Sequence, residues 1–144
     1  MQVAIKRIDS TLPLPRYQTA GAAGFDFYAR EAVTVAAHSL ARIPSNFIIR
    51  IPAGFVLFIT ARSSLAAKKG LMLANGVGTI DSDFCGPADE ILISVYNFTD
   101  ASVAVERGER IAQGVFVRMD RAEWEEVEIV ESSNRGGFGS TGMK

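Results

Sequence analysis

The sequence predicts an all-β domain, a jelly-roll-like β-sandwich with one short helix and a flexible glycine-rich C-terminal tail. Three observations lead there. Short apolar and β-branched runs recur between turn-forming clusters, good helix formers gather in one place, and no repeat or linker divides the 144 residues. A chain of this length buries roughly two thirds of the surface that its unfolded form exposes, enough for one core. Residues 1–131 are expected to form that domain and residues 132–144 the tail.

Val3 to Arg7 alternates and reads as a first strand, after which Leu12-Pro-Leu-Pro15 enforces an extended loop. Small residues crowd before a second strand, Phe25 to Ala29. Val33 to Val35, Ala41 to Ile51 and Phe55 to Thr60 follow as strands, with Ile51-Pro-Ala-Gly54 as the clearest turn between them. Arg62 to Gly70 holds helix formers between hydroxyl residues and a glycine, predicting one or two helical turns that end at Gly70. Leu71 to Leu73 and Thr79-Ile80 flank the turn Asn75-Gly-Val-Gly78 and read together as a hairpin. Ile91 to Asn97, Val103 to Val105, Arg110 to Met119 and Trp124 to Val130 complete the expected strands.

Composition narrows the function classes. Apolar residues make up 48% and charged residues 22%, with a net charge of −1, which argues against disorder and against a basic nucleic-acid surface. No nucleic-acid partner is expected, and a nucleotide-like ligand should be small. Cys85 is the sole cysteine, so an intrachain disulfide and a CxxC pair are both excluded. His38 is the sole histidine and falls in a polar loop, which disfavours a zinc site or a Ser-His-Asp triad. No apolar run approaches the roughly 20 residues of a membrane span, and the first residues do not resemble a signal peptide. A cytoplasmic protein without a membrane partner is the expectation.

Four segments could carry chemistry. In the first, Gly76 and Gly78 permit positive φ and close approach of a flat ligand, with Asp81 where the chain leaves the turn. The same segment also suits an ordinary surface hairpin. In the second, Ala61-Arg-Ser-Ser-Leu65 places an arginine and two hydroxyls at a helix start, either as a phosphate cradle or as a plain N-cap beside a solvated arginine. The third, Gly108 to Phe116, carries the amide Gln113 among apolar neighbours, where it could serve a ligand or an adjacent strand. The fourth is the tail, whose Gly137-Phe-Gly-Ser-Thr-Gly142 matches G-x-G-x-x-G in letters only, since too few residues follow for a helix. A disordered end and a flap that closes over a phosphorylated ligand both fit its composition.

Taken in order, Ala22-Ala-Gly-Phe-Asp26, Ala61 to Leu65, Asn75 to Phe84, Gly108-Glu-Arg-Ile-Ala-Gln113 and Gly136 to Gly142 resemble the five motifs of the trimeric deoxyuridine triphosphatases (dUTPases). The resemblance spans almost the whole chain. It implies a jelly-roll homotrimer whose active sites lie between subunits, hydrolysing dUTP to dUMP and pyrophosphate with Mg²⁺ and so supplying dUMP for thymidylate synthesis. Asp81 would activate the attacking water. Asn75 with the backbone of Gly78, Thr79 and Ile80 would read uracil, and Phe84 would lie under the sugar. Arg62, Ser63, Ser64, Gln113 and Arg135 would hold phosphates, Asp26 would support the polar network, and Gly137, Phe138, Gly139 and Ser140 would close the tail over the nucleotide. No direct metal ligand is implied, because magnesium takes many of its ligands from phosphates and water.

The sequence departs from the family pattern in places. Phe84 stands where tyrosine is common and Ser64 where glycine is common, while the nearest tail arginine, Arg135, lies inside the glycine loop rather than at the position of Ser133. Asp89 and Glu90 are more acidic than a plain connection requires. A related-fold alternative, dCTP deaminase, is disfavoured by the glycine-rich tail and by the missing zinc-deaminase signature. A jelly-roll binding protein with a degenerate site is the non-enzyme alternative.

Overall fold

The computed structural model describes residues 1–131 together with Ser133, Asn134 and Gly136. The order is β1 (Ala4–Arg7), β2 (Phe25–Tyr28), β3 (Val33–Val35), β4 (Leu40–Pro44), β5 (Phe47–Arg50), β6 (Phe55–Ala61), α1 (Leu65–Lys69), β7 (Leu71–Leu73), β8 (Gly78–Ile80), β9 (Leu92–Asn97), β10 (Val103–Val105) and β11 (Arg110–Arg118). A four-stranded sheet, β2-β11-β6-β8, and a three-stranded sheet, β4-β9-β7, share one core with the ribbons β1-β5 and β3-β10. Every pairing among the described residues is antiparallel. The all-β jelly-roll sandwich with one short helix is therefore the fold observed.

The pleat decides what is buried. Along β9, Ile93, Val95 and Asn97 point inward, while Leu92, Ser94 and Tyr96 point away from the core. The inward residues join Phe27, Phe47, Ile43, Leu57, Leu71 and Ile111, all at most 1% exposed. The buried Asn97 amide donates to the carbonyls of Val35, Ala36 and Ala101, which satisfies a polar group that would otherwise oppose burial. Helix α1 ends at Gly70, whose φ of 65° is left-handed. A Cβ there would come within 2.1 Å of the Thr99 methyl, so the terminating glycine is required by packing as well as by conformation.

Three expectations need correction. The predicted hairpin is not one: β7 pairs with β9 and β8 pairs with β6, so Ala74–Val77 carries the chain from one sheet to the other. A tight turn between two short strands fixes their proximity but not their pairing partners. The long strand Ala41 to Ile51 is broken at Ser45 and Asn46, where Asn46 takes φ 74° and bonds through its amide to the backbone of Asp9. Trp124 to Val130 forms no strand, and Trp124 is 94% exposed. Strand-forming side chains need a neighbouring edge, and none of the described strands pairs with this segment. The expected tail, 132–144, lies mostly outside the described residues.

Candidate active site

The sheet β2-β11-β6-β8 carries the predicted residues at its two ends. Near β2, Asp26 is buried and its two carboxylate oxygens accept from different arginines: Arg62 Nε at 3.0 Å and Arg110 Nη1 at 3.0 Å. Arg62 Nη1 also donates to the Arg110 carbonyl at 3.4 Å. Arg62 is thus a held cation rather than a solvated one. Ion pairs with a buried carboxylate fix both guanidiniums before any ligand arrives, leaving the N–H groups that Asp26 does not use.

The backbone explains why these groups meet. Gln113 stands opposite Asp26 on one side and Thr60 on the other, so the three share a face, and Arg62 continues that face two residues beyond Thr60. Simple alternation would send Arg110, three residues before Gln113, to the opposite face. A bulge between Arg110 and Ala112 shifts the register, so that Arg110 opposes Tyr28 while Ala112 opposes Phe27. The bulge returns Arg110 to the face of Asp26. Arg110 is the charged residue that reading by period two does not find, although it sits inside the Gly108-to-Gln113 motif.

Gln113 serves the adjacent strand only weakly. Its amide donates weakly to the Ala61 carbonyl at 3.4 Å, and a Cβ at Gly24 would come within 3.1 Å of its Oε1. Gly24 therefore keeps the space beside the amide open. Ser63 is exposed, and Ser64 is the N-cap residue but makes no side-chain capping bond. Of the two readings left open for this segment, the plain side-chain N-cap is not formed, so the Ser64 hydroxyl is not committed to the helix.

At the other end, Gly78 lies opposite Ile59 and Ile80 opposite Leu57. Gly76 has φ 69°, whereas Gly78 is extended and earns its place by contact: a Cβ would meet Ile59 Cβ at 3.1 Å. Asn75, Gly78, Thr79 and Ile80 line one recess together with Ile59, Leu73 and Leu92. Extending the β6-β8 register by one residue sets Asp81 beside Val56, and both line a second recess with Met119 and Asp120. Asp81 is exposed, and among the described residues its carboxylate makes no hydrogen bond or ion pair. Phe84 is 40% exposed.

The two ends do not converge. Arg62 lies six residues beyond Val56 along extended chain, about 20 Å at 3.3 Å per residue. Asp81 and the Arg62–Asp26–Arg110 cluster are both on the outer face of one sheet, too far apart to touch the same phosphate within one chain. Arg135, Gly137, Phe138, Gly139 and Ser140 fall outside the described residues. His38 pairs with Asp100 at 2.8 Å on the surface, away from either end.

A dUTPase family model matches residues 10–142. The chain belongs to the dUTPase family. The deoxyuridine 5'-triphosphate nucleotidohydrolase of Desulfitobacterium hafniense (strain DSM 10664 / DCB-2) is 42% identical over 99% of this chain and 96% of its own. That of Helicobacter pylori (strain P12) is 37% identical over 99% and 98%. Among solved structures, dUTPase from Streptococcus mutans superposes with a TM-score of 0.77 at 34% identity, covering 83% of this chain and 98% of its own. The dUTPase of Staphylococcus bacteriophage 80alpha with dUPNHPP gives 0.87 at 26% identity, covering 98% of each. Among the described residues no helix is long and apolar enough to cross a membrane.

Proposed function

We propose that this dUTPase-family enzyme hydrolyses dUTP to dUMP and pyrophosphate in the cytoplasm, at sites that each draw on more than one copy of a homotrimer. The observation that carries the shared site is the separation, about 20 Å along β6 at 3.3 Å per residue, between Asp81 and the arginine cluster. A closed symmetric assembly brings one copy's Asp81 to another copy's Arg62 without stretching either.

In this reading Asn75 and the backbone of Gly78, Thr79 and Ile80 hydrogen-bond the uracil edge, with the apolar wall of Ile59 and Leu73 behind it. Phe84 presents a flat face to the deoxyribose and leaves no room for a 2′-hydroxyl. Arg62, with Ser63, Ser64 and Gln113, holds the phosphates, and Asp26 keeps Arg62 aimed. Asp81 accepts a proton from the water that attacks, and the bond between the α- and β-phosphates breaks as pyrophosphate leaves. Arg135 and Gly137 to Ser140 close over the nucleotide, with Phe138 on the base.

The donor set fits a magnesium ion brought in by the triphosphate. Each Asp26 oxygen is already paired with an arginine, and among the described residues no group of three His, Cys, Asp or Glu side chains is placed to hold a metal ion. Phosphate oxygens and water would supply most ligands, as magnesium prefers. Bound there, the ion would neutralise developing phosphate charge.

Product analysis tests the function. Incubation with dUTP and Mg²⁺ should yield dUMP and pyrophosphate, and a chelator should stop it. Ammonia from dCTP, or no turnover of either nucleotide, would refute the reading.

A further inference from the structure

The connection from Asp81 to Glu90 carries Asp81 and Phe84, yet it holds to itself more than to the fold. Phe84 N–H donates to the Asp81 carbonyl at 3.2 Å and Cys85 N–H to the Asp83 carbonyl at 2.9 Å. Gly86 N–H donates to Asp89 Oδ2 at 2.6 Å, and Asp89 N–H returns to the Gly86 carbonyl at 3.2 Å. Among the described residues, every hydrogen bond made by residues 82–89 stays within 81–90. Two self-contained turns are strung in series, and neither is fastened to a sheet.

Glu90 is where the loop meets the frame. Its carboxylate accepts both prongs of Arg30, Nε at 2.9 Å and Nη2 at 3.0 Å, and the backbone N–H of Asn46 at 2.8 Å. The pair is largely withdrawn from water, with side chains 26% and 13% exposed. Behind it the frame is rigid: Asn46 is buried and bonded to Asp9, Arg30 N–H donates to the Pro44 carbonyl, and Ile91 N–H donates to the Phe47 carbonyl. A bidentate fork fixes direction as well as distance. The hydrogen bonds that Arg30 donates to Glu90 also raise its pKa above the ordinary value.

We propose that Glu90, clamped by Arg30 and the Asn46 N–H, is a positioning residue that sets where the Asp81–Phe84 turn stands. The loop leaves β8 at one end and reaches the frame at Glu90 and the buried Ile91 at the other, so releasing the Glu90 clamp loosens the loop's last side-chain hold while Ile91, β8 and the core stay in place. The inference rests on the roles proposed for Asp81 and Phe84. A small displacement suffices, because misplacing reacting groups by about 1 Å costs up to about 10²-fold in rate.

The test uses the full chain and two variants, Glu90→Gln and Arg30→Lys, each assayed well below its melting temperature. The clamp predicts that Glu90→Gln lowers kcat/KM for dUTP about tenfold or more and narrows the dUTP-to-UTP ratio, with Arg30→Lys in between. Cys85, the sole cysteine, gives a readout that needs no nucleotide: its modification by a thiol reagent should quicken in the same order. A merely structural pair would lower the melting temperature and leave the selectivity ratio and the thiol rate as in the parent. Wild-type values of both in both variants would overturn the proposal. Phe84→Ala distinguishes the two levels: an unchanged dUTP-to-UTP ratio there refutes the role of Phe84, while the thiol rate still decides the clamp.

Discussion

At one end of the β2-β11-β6-β8 sheet a buried carboxylate holds two arginines in fixed geometry, whereas at the other Asp81 stands in solvent without a partner among the described residues. The first end is completed by the chain itself. Its guanidiniums are already paired, so in the proposed function little reorganisation remains when a phosphate binds. The second end is a carboxylate in water, where a base is weakly directed until something covers it. In the proposed function one sheet thus carries a preorganised half-site and an open one, and the assembly brings the two from different copies together.

Replacing Asp81 should have the largest effect on chemistry. Asp81→Asn is expected to cost at least about 10²-fold in kcat, as removal of a general base does, with nucleotide binding retained. Because the residue is exposed, its melting temperature should stay near that of the parent. Calorimetry alongside steady-state kinetics checks both halves; near-normal turnover would remove Asp81 from the mechanism.

Asp26→Asn inverts the pattern. Removing the charge leaves two guanidiniums side by side over a neutral amide, and the expected loss is about 2 kcal/mol, reduced from a fully buried case because both arginines are partly solvated. Denaturant unfolding measures it. KM should rise more than kcat falls, since phosphate binding suffers first.

Gly78→Ala probes the recess. The new methyl would press on Ile59 Cβ at 3.1 Å, an overpacking expected to cost about 1 kcal/mol and to raise KM without moving the pH profile. Ser64→Ala should do least to stability. A capping serine would lose about 1 kcal/mol, but Ser64 makes no capping bond and the expected change is within about 0.5 kcal/mol, so any rise in KM reports phosphate contact.

Much of this was legible in the sequence, unevenly and for physical reasons. Strands such as Val103 to Val105 follow from local alternation, and the residue type of Gly70 alone marks the end of the helix. Most of the failures are nonlocal. Leu71 to Leu73 and Gly78 to Ile80 look like hairpin arms because a short turn joins them, yet their hydrogen bonds go to β9 and β6. Arg110 is hidden by a bulge that only pairing with β2 reveals, and the charge of Glu90 is explained only by Arg30, 60 residues away in sequence, which faces it. Trp124 to Val130 has strand-forming residues and no described edge to join.

Subunit mixing tests the shared site most directly. Chains carrying Asp81→Asn and chains carrying Arg62→Ala, each nearly inactive alone, should regain activity once their subunits exchange, because a mixed assembly can place an intact Asp81 against an intact Arg62. Random exchange at equal ratio makes about a quarter of the sites whole, and recovery should approach that fraction of the parent rate. No recovery despite exchange demonstrated by mass spectrometry would contradict a site built across copies.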